Sequence, residues 1–213
     1  MMPFPDTFDD NVAALPIERM GLEGQQALQT LRSKGYDVKV GLTAEYADEI
    51  AKLSREPSIR EYCPNDCLKR FANRQATADW LASSKRATYL LFQKSDHNQL
   101  VLAGYGWIGA KTNTLVPVGE TTFSLRIGES HQGQGLAAPF ATSLLTASEV
   151  SYATPHLWLE TWASNGGAVH IYNKLGFTIV AQKDDERPTV SGEMVTDTRL
   201  FMTNYSNSQT GTS

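Results

Sequence analysis

The decapeptide HQGQGLAAPF, residues 131–140, has the residue types of an anion-binding turn. Gly133 and Gly135 lack a Cβ, so an anionic group can approach their main chain closely. The apolar run that follows is typical of a helix, whose first N–H groups lack intrahelical partners and whose dipole favours negative charge. The stretch therefore predicts a cradle for a phosphate or pyrophosphate. A glycine-rich turn that merely enters a helix has the same sequence, so both interpretations stay open.

Two common nucleotide-binding motifs fit the chain poorly. The phosphate-binding loop G-x-x-x-x-G-K-[ST] does not occur in the sequence. Gly133, Gly135 and Ala138 match the G-x-G-x-x-A pattern of a dinucleotide-binding fold. That fold opens its βαβ unit with the motif, whereas here several predicted hairpin strands come first. Pro139 does not exclude a helix after the turn, since a proline in the first turn removes no helical hydrogen bond.

A carboxylate stands between two tryptophans in the stretch HLWLETW. The alternation predicts a strand with Glu160 in its middle and with Trp158 and Trp162 on either side. Partial burial between aromatic side chains would raise the pKa of this carboxyl towards the neutral range, as suits a general base. A purely structural role, in which Glu160 pairs with an arginine on a neighbouring strand, is an equal alternative.

Composition and charge are typical of a globular protein of ordinary size. The chain has 213 residues, of which 41% are hydrophobic and 20% charged, and its formal net charge is −4. This balance argues against a dedicated nucleic-acid-binding protein, and no apolar run of about 18 residues predicts a membrane span. The N-terminus lacks the pattern of a secretory signal, so we expect a cytoplasmic protein. Cys63 and Cys67 are interpreted as reduced thiols, and no metal site is expected.

The elements that would position these residues alternate along the chain. Strands are predicted over YDVKVGL, ATYLLFQ, LVLAGYGWIGA, VGETTFSLRIG, HLWLETW, FTIVAQ and DTRLFMTNY. Helices are predicted over GLEGQQALQTLRSKG, from a cap at Thr43 to about Leu53, over NRQATADWLASS, after the glycine turn, and over SNGGAVHIYNKLG. Hairpins first and helical crossovers later predict an α/β (α+β) fold with a mixed, mostly antiparallel central sheet of about seven strands flanked by helices.

Two motifs in the second half of the chain resemble those of the GNAT superfamily of acyl-CoA-dependent N-acyltransferases. QGQGLA, residues 132–137, matches Q/R-x-x-G-x-G/A, and NGGAVHIYNKLGF, residues 165–177, matches N-x-x-A-x-x-x-Y-x-x-x-G-F. LWLETWASN is also similar to the L-x-L-E-V-R-x-S-N stretch of bacterial enzymes that acetylate the N-terminal alanine of a ribosomal protein. Thr161 and Trp162 depart from that stretch. The resemblance implies a GNAT acyltransferase domain at 36–205. The amphipathic stretch GLEGQQALQTLRSKG predicts an N-terminal extension with one helix at 1–35, and the polar last eight residues predict a flexible tail at 206–213.

The resemblance also implies an activity: transfer of an acetyl group from acetyl-CoA to a primary amine by direct attack, without a metal. The pyrophosphate would lie on the main-chain amides of the turn, with side-chain donors from Gln132 and Gln134, and the pantetheine arm would pair with the strand near Leu125. The coenzyme-binding residues implied are Leu125, Arg126, Ile127, Gln132, Gly133, Gln134, Gly135, Leu136, Ala137 and Asn165. Asn165 is equally well explained as a helix cap.

The catalytic residues follow from the same resemblance. Tyr172 matches the general acid of the family, although a tyrosine on the apolar stripe of its helix also suits a core position. Glu160 is the first candidate for the base, Glu120, near the start of the preceding strand, is the second, and a chain of water molecules or another residue is the remaining alternative. An acyl-CoA-binding sensor or interaction module without turnover is the alternative function. The presence of a candidate acid and base argues against it.

The acceptor is predicted only as a class: a small-molecule amine, or an N-terminal or lysine amine of a protein, with no nucleic acid or membrane involved. It would be framed by SREPSIREYCPNDCLKRFANRQ and by KTNTLVPVGE. Glu56, Glu61 and Asp66 in the first of these segments would suit a cationic amine, but neighbouring arginines and lysines offset them. A homodimer is compatible with the resemblance.

Overall fold

One antiparallel-rich sheet forms the centre of the computed structural model, which describes residue 8 and residues 11–84, 86–95, 99–116, 120–153 and 156–205. The strands are β1 (Ala13–Ala14), β2 (Tyr36–Val40), β3 (Arg86–Lys94), β4 (Leu100–Ala110), β5 (Thr121–Ile127), β6 (Trp158–Trp162), β7 (Thr178–Pro188) and β8 (Met194–Thr203). The helices are α1 (Leu22–Ser33), α2 (Ala44–Leu53), α3 (Pro57–Tyr62), α4 (Arg74–Ser84), α5 (Ala137–Tyr152) and α6 (Gly166–Lys174), with a π-helical turn at Asp66–Arg70 between α3 and α4.

The sheet confirms the predicted fold class. Its strand order is β1-β2-β3-β4-β5-β6-β8-β7, and every neighbouring pair is antiparallel except β5 and β6. The count is eight rather than about seven because the two-residue strand β1 adds to the edge at β2. None of the helices among the described residues is both long and apolar enough to cross a bilayer.

The parallel pair β5–β6 opens the sheet. Its register contains a single residue pair, Thr122 with Trp158, whereas β4 and β5 pair from Ala110–Thr121 to Gly104–Ile127. The edge of β5 beyond Thr122 therefore has no strand partner on the β6 side. A wedge-shaped gap results in the middle of the sheet, where main-chain groups are available to a ligand.

Two apolar layers cover the two faces of the sheet. On one face, Leu28 and Leu31 of α1 are buried in the same cluster as Phe140 and Leu144 of α5. The helix of the predicted N-terminal extension thus packs into the main core. On the other face, Phe71 and the residues of α2 to α4 pack against β3 and β4.

Several local predictions are confirmed. The Thr43 hydroxyl caps α2 by accepting from the Tyr46 N–H at 3.3 Å, and the stripe Leu136, Phe140, Leu144 and Ala147 is buried. Gly176 has the positive φ, +80°, expected after a helix. The patterns missed α3, the π-helical turn and the length of β7, which runs to Pro188. Residues 96–98 of the predicted hairpin loop and the tail 206–213 lie outside the described residues.

Candidate active site

The glycine turn forms an open concave row of main-chain donors before α5. Gly133 and Gly135 have φ angles of +72° and +69°, a region that other residues rarely adopt, and α5 begins at Ala137. A Cβ at Gly133 would meet nothing within 4 Å. Within the described part of the chain, the N–H groups from Gly133 to Leu136 have no hydrogen-bond acceptor. Free N–H groups at a helix start suit a diphosphate, so the turn fits the expected coenzyme.

Side chains from three parts of the chain hold the turn in shape. The Tyr36 hydroxyl lies 3.0 Å from His131 Nδ1 and donates to Gln134 Oε1 at 2.9 Å. Gln132 Nε2 donates to Ser58 Oγ at 2.9 Å and to the Ile127 carbonyl at 3.0 Å. Because both amide hydrogens of Gln132 are used inside the protein, this side chain is not the free ligand donor that the sequence predicted.

Lys34 is a neighbour of the turn that the sequence did not indicate. Its Nζ donates to the Gln134 carbonyl at 2.8 Å and lies 3.6 Å from the Cβ position of Gly135. An ammonium group at this place adds positive charge to the cradle of N–H groups. The sequence does not indicate this contact because Lys34 is 100 positions upstream of Gln134, in the predicted extension.

The open edge of β5 continues from the turn into the gap. The Leu125 carbonyl accepts from Arg126 Nη1 at 2.7 Å, and the Ile127 carbonyl from Gln132, so neither pairs with a strand on that side. This edge suits the pairing expected for a pantetheine arm. The Arg126 guanidinium, which lies at this edge, also donates through Nε to Asp66 Oδ2 at 3.0 Å.

A cavity of about 500 Å³ occupies the gap between β5 and β6. One wall is the α3 segment, including Ser58, Tyr62 and Cys63, which belongs to the first segment expected to frame the acceptor. Of the second predicted frame, residues 111–120, Lys111 lines the cavity. Glu160 and Tyr172 both face it, so the fold brings the candidate base and the candidate acid into one space.

Tyr172 combines a core position with access to the cavity. Its ring packs against Phe123 and Phe177, with centroids 6.0 and 6.1 Å away, and the residue is 6% exposed. The hydroxyl has no hydrogen-bond partner among the described residues. Burial raises the pKa of Tyr172 to about 12, although the positive charge of Arg126 opposes this. The phenol therefore stays protonated and able to donate throughout the neutral range.

Glu160 pairs with an arginine on a neighbouring strand, as the structural alternative predicted, and departs from the predicted rise in pKa. Its Oε1 lies 3.1 Å from Lys111 Nζ and its Oε2 lies 3.5 Å from Arg199 Nη1. Burial tends to raise the pKa of this carboxyl, but the two cations outweigh it and hold the pKa below the ordinary value of 4.5. Each flanking tryptophan stacks with one of these cations, Lys111 on Trp158 at 5.1 Å and Arg199 on Trp162 at 4.3 Å. The predicted rise in pKa is wrong because these cations come from strands and loops distant in sequence.

Two other predicted site residues have clear positions. Asn165 lines the cavity and caps α6, since its Oδ1 accepts from the Ala168 N–H at 3.2 Å. Glu120 is exposed in the bend before β5 and does not line the cavity. Because Tyr172 lines the cavity and Glu120 does not, the structure does not bring this carboxylate together with Tyr172.

The carboxylates that would have suited a cationic acceptor are already paired. Glu56 accepts from the Glu129 N–H at 2.7 Å, and Glu61 pairs with Arg187 at 2.8 Å. Asp66 is fully buried and binds Arg70 at 2.6 Å and Arg126 at 3.0 Å. Glu61 and Asp66 thus have arginine partners within the protein, in line with the offsetting positive charge noted in the sequence.

Cys63 is a thiol in the wall of the cavity. Burial raises its pKa to about 11. A thiol with such a pKa is almost entirely protonated at neutral pH and is a poor nucleophile. Cys63 and Cys67 are both free thiols, and the described residues contain no group of three His, Cys, Asp or Glu side chains arranged to hold a metal ion.

Comparison with known protein families gives a match over most of the chain. The family model described as the acetyltransferase (GNAT) domain matches residues 40–178. The ribosomal protein bS18-alanine N-acetyltransferase of Escherichia coli K12 is 30% identical over 112 residues, which are 52% of this chain and 70% of that enzyme.

Solved structures with the same fold include two that contain a coenzyme. A Salmonella typhimurium protein solved with its cofactor acetyl-CoA has a TM-score of 0.60 at 15% identity, over 79% of this chain and 92% of its own. Spermidine N-acetyltransferase from Vibrio cholerae, in complex with CoA and spermine, has a TM-score of 0.58 at 17% identity, over 80% of this chain and 95% of its own. At these identities the likeness is one of fold.

Proposed function

The chain belongs to the GNAT acetyltransferase family and is an N-acetyltransferase of that type, and from this premise we propose that it acetylates a primary amine by direct attack on acetyl-CoA. The observation that carries the proposal is the alignment of three features along β5. The free N–H groups of the turn precede α5, the edge of β5 at Leu125 and Ile127 has no strand partner on the β6 side, and Tyr172 lines the cavity in the gap.

The first chemical requirement is an uncharged amine. An alkyl or α-amino group is largely protonated at neutral pH and cannot attack until it loses a proton. Glu160 is our candidate to receive that proton, directly or through a water molecule, because it is a carboxylate in the cavity wall. Its lowered pKa keeps it ionised, so the pH dependence of the reaction should follow the amine rather than Glu160.

The second requirement concerns the departing sulfur. Acetyl-CoA supplies an activated acetyl group whose leaving group is a thiolate. Tyr172 donates its phenolic proton, or a strengthening hydrogen bond, to that sulfur as negative charge develops. The nearby positive charge of Arg126 favours the tyrosinate and so assists the donation.

The protonated thiol of Cys63 favours direct attack over a mechanism with a covalent acetyl-enzyme. Its pKa of about 11 leaves too little thiolate for a first transfer to the protein. Initial velocities measured against both substrates should give intersecting double-reciprocal lines. Protein incubated with acetyl-CoA alone should show no acetylated Cys63 by mass spectrometry. Parallel lines together with an acetylated cysteine would overturn direct attack.

Replacement of the candidate base tests its role. We expect Glu160→Gln to lower kcat/KM for the amine roughly 10²-fold at neutral pH, the lower end of the range for a positioned base. In the wild type, kcat/KM should rise with pH as the amine deprotonates, and Glu160 should add no inflection near neutrality, because its pKa lies below 4.5. Glu120→Gln is the matched comparison. A larger loss in that variant would identify Glu120 as the base instead.

A further inference from the structure

The side chains that line the cavity carry more positive than negative charge. The cationic members are Arg70, Arg86, Lys111, Arg126, Arg187 and Arg199. The carboxylates that line the same space are Glu160 and Glu186. Most of these cations form an ion pair with a carboxylate of the protein.

Arg86 is buried without a counter-charge. It is 8% exposed, lines the cavity, and stacks on Trp80 with its guanidinium 4.3 Å from the ring centroid. One end donates to the Trp80 carbonyl, but Nε has no acceptor and no carboxylate in the described ranges pairs with it. Burial and the charge of Arg70 lower its pKa to about 10, so it is still charged at neutral pH. A buried charge without a partner is costly, which points to a ligand that completes it.

The neighbouring arginines increase the excess of charge. Arg70 and Arg126 share one carboxylate, Asp66, which also accepts from the Tyr105 hydroxyl. Their guanidinium groups lie 5.4 and 5.1 Å from the ring centroid of Trp107, and that ring packs against Trp80 at 5.1 Å. Three arginines therefore surround two tryptophans with a single carboxylate among them.

The position of Arg86 separates it from the coenzyme phosphates. Across the sheet, Arg86 pairs with Gly109, and Gly109 pairs with Thr122 at the start of β5. Ile127, next to the phosphate-binding turn, is five residues further along the strand, or about 17 Å at 3.4 Å per residue. A Cβ at Gly109 would lie 2.4 Å from Arg86 Cγ, so the glycine leaves room for the arginine to cross β4. Arg86 thus belongs to the half of the cavity where an acceptor would lie.

Resting on the proposed function, we propose that the acceptor is a small amine that also carries a carboxylate, phosphonate or phosphate group, and that Arg86 and Arg70 bind this anionic group. Planar guanidinium groups match such oxyanions in both charge and geometry. A polyamine would face repulsion here, because the nearby carboxylate, Asp66, is buried and already paired.

A panel of matched amines tests the preference. Amino acids and aminoalkylphosphonates with two to five carbons are each compared with the corresponding neutral amide or alcohol, with spermidine and with an alanine-starting peptide. We expect kcat/KM, corrected for the unprotonated amine, to be at least tenfold higher for the anionic members. The carboxylate and phosphonate arms identify which oxyanion is used. Preference for the neutral, cationic or peptide members overturns the inference.

Arg86→Gln should reduce kcat/KM for the anionic amines at least tenfold and leave the Kd of acetyl-CoA unchanged. Arg74→Gln is the matched control, because Arg74 is an exposed arginine of α4 paired with Asp48 outside the cavity. Inorganic phosphate gives a readout independent of turnover. Calorimetry on CoA-saturated protein should show phosphate binding that is at least tenfold weaker in the Arg86→Gln variant. Equal binding in both proteins contradicts the site.

Failure of the anionic-acceptor proposal can be distinguished from failure of the proposed acetyltransferase function. If the wild type acetylates neutral or cationic amines preferentially, the proposed function stands and the anionic acceptor is wrong. If no amine is acetylated but phosphate binding depends on Arg86, the arginine site stands and the proposed function fails. If the protein neither shows the preference nor loses phosphate on replacement of Arg86, the inference is wrong in either case.

Discussion

Replacing Tyr172 with phenylalanine is expected to lower kcat about 10²–10⁴-fold, the range for loss of a positioned general acid. The substitution removes only the hydroxyl, which has no partner in the described part of the protein. The ring contacts with Phe123 and Phe177 are retained. Stability and the Kd of acetyl-CoA should therefore change little. Pre-steady-state and steady-state rates at saturating acetyl-CoA measure the effect.

A control substitution at another tyrosine and the pH dependence of kcat test whether the effect comes from the Tyr172 hydroxyl. Tyr46→Phe removes a hydroxyl from a ring that packs on Phe92, outside the cavity lining, and should leave kcat unchanged. Because the pKa of Tyr172 is about 12 rather than the ordinary 10, the wild type should show no loss of kcat from its ionisation up to about pH 10. A Tyr172→Phe variant within threefold of wild-type kcat would show that the phenol is a core residue only.

Gly135→Asp is expected to weaken acetyl-CoA binding at least 10²-fold. The Cβ of the new side chain would lie 3.6 Å from Lys34 Nζ, so its carboxylate would add negative charge beside the turn proposed to hold the pyrophosphate. The aspartate and the pyrophosphate are both negatively charged and would repel each other. The aspartate would also pair with Lys34, whose positive charge would otherwise favour the pyrophosphate. Calorimetric titration with acetyl-CoA measures the loss directly.

Two controls separate charge from strain in that variant. Gly135→Asn has nearly the same shape without the charge and, like aspartate, tolerates a positive φ. It should bind acetyl-CoA at least tenfold more tightly than Gly135→Asp. Gly192→Asp places the same residue at a φ of +88° in the turn between β7 and β8 and should titrate like the wild type. Wild-type affinity in Gly135→Asp would exclude the turn as the phosphate site.

Local patterns predicted much of the fold because its signals are short-range. The alternation in β5 and β6, the cap at Thr43 and the glycines of the turn each depend on residues within a few positions. The spacing of the two motifs likewise predicts that the turn leads into one helix and that Tyr172 lies on the next. What the patterns could not give is the gap at β5–β6, which depends on a single residue pair between distant strands.

The electrostatics of the site depend on tertiary structure, and the rise in the pKa of Glu160 that the neighbouring tryptophans predicted is wrong. The tryptophans beside Glu160 are visible in the sequence, but Lys111 and Arg199 reach it from a loop and from β8. The cations reverse the direction of the pKa shift that the tryptophans alone predict. Arg86 was missed for a similar reason: only the register across β3, β4 and β5 brings it to the cavity.

The most direct test of the central claim, acetyl transfer to an amine, follows the acetyl group itself. Wild-type protein is mixed with acetyl-CoA carrying carbon-13 in the acetyl group and with the amine panel, and the label is followed by NMR. The account predicts that the label moves to an amine nitrogen, with free CoA released in equal amount, only when protein and amine are both present. Tight binding of acetyl-CoA with no transfer to any amine would contradict it and indicate a binding module without turnover.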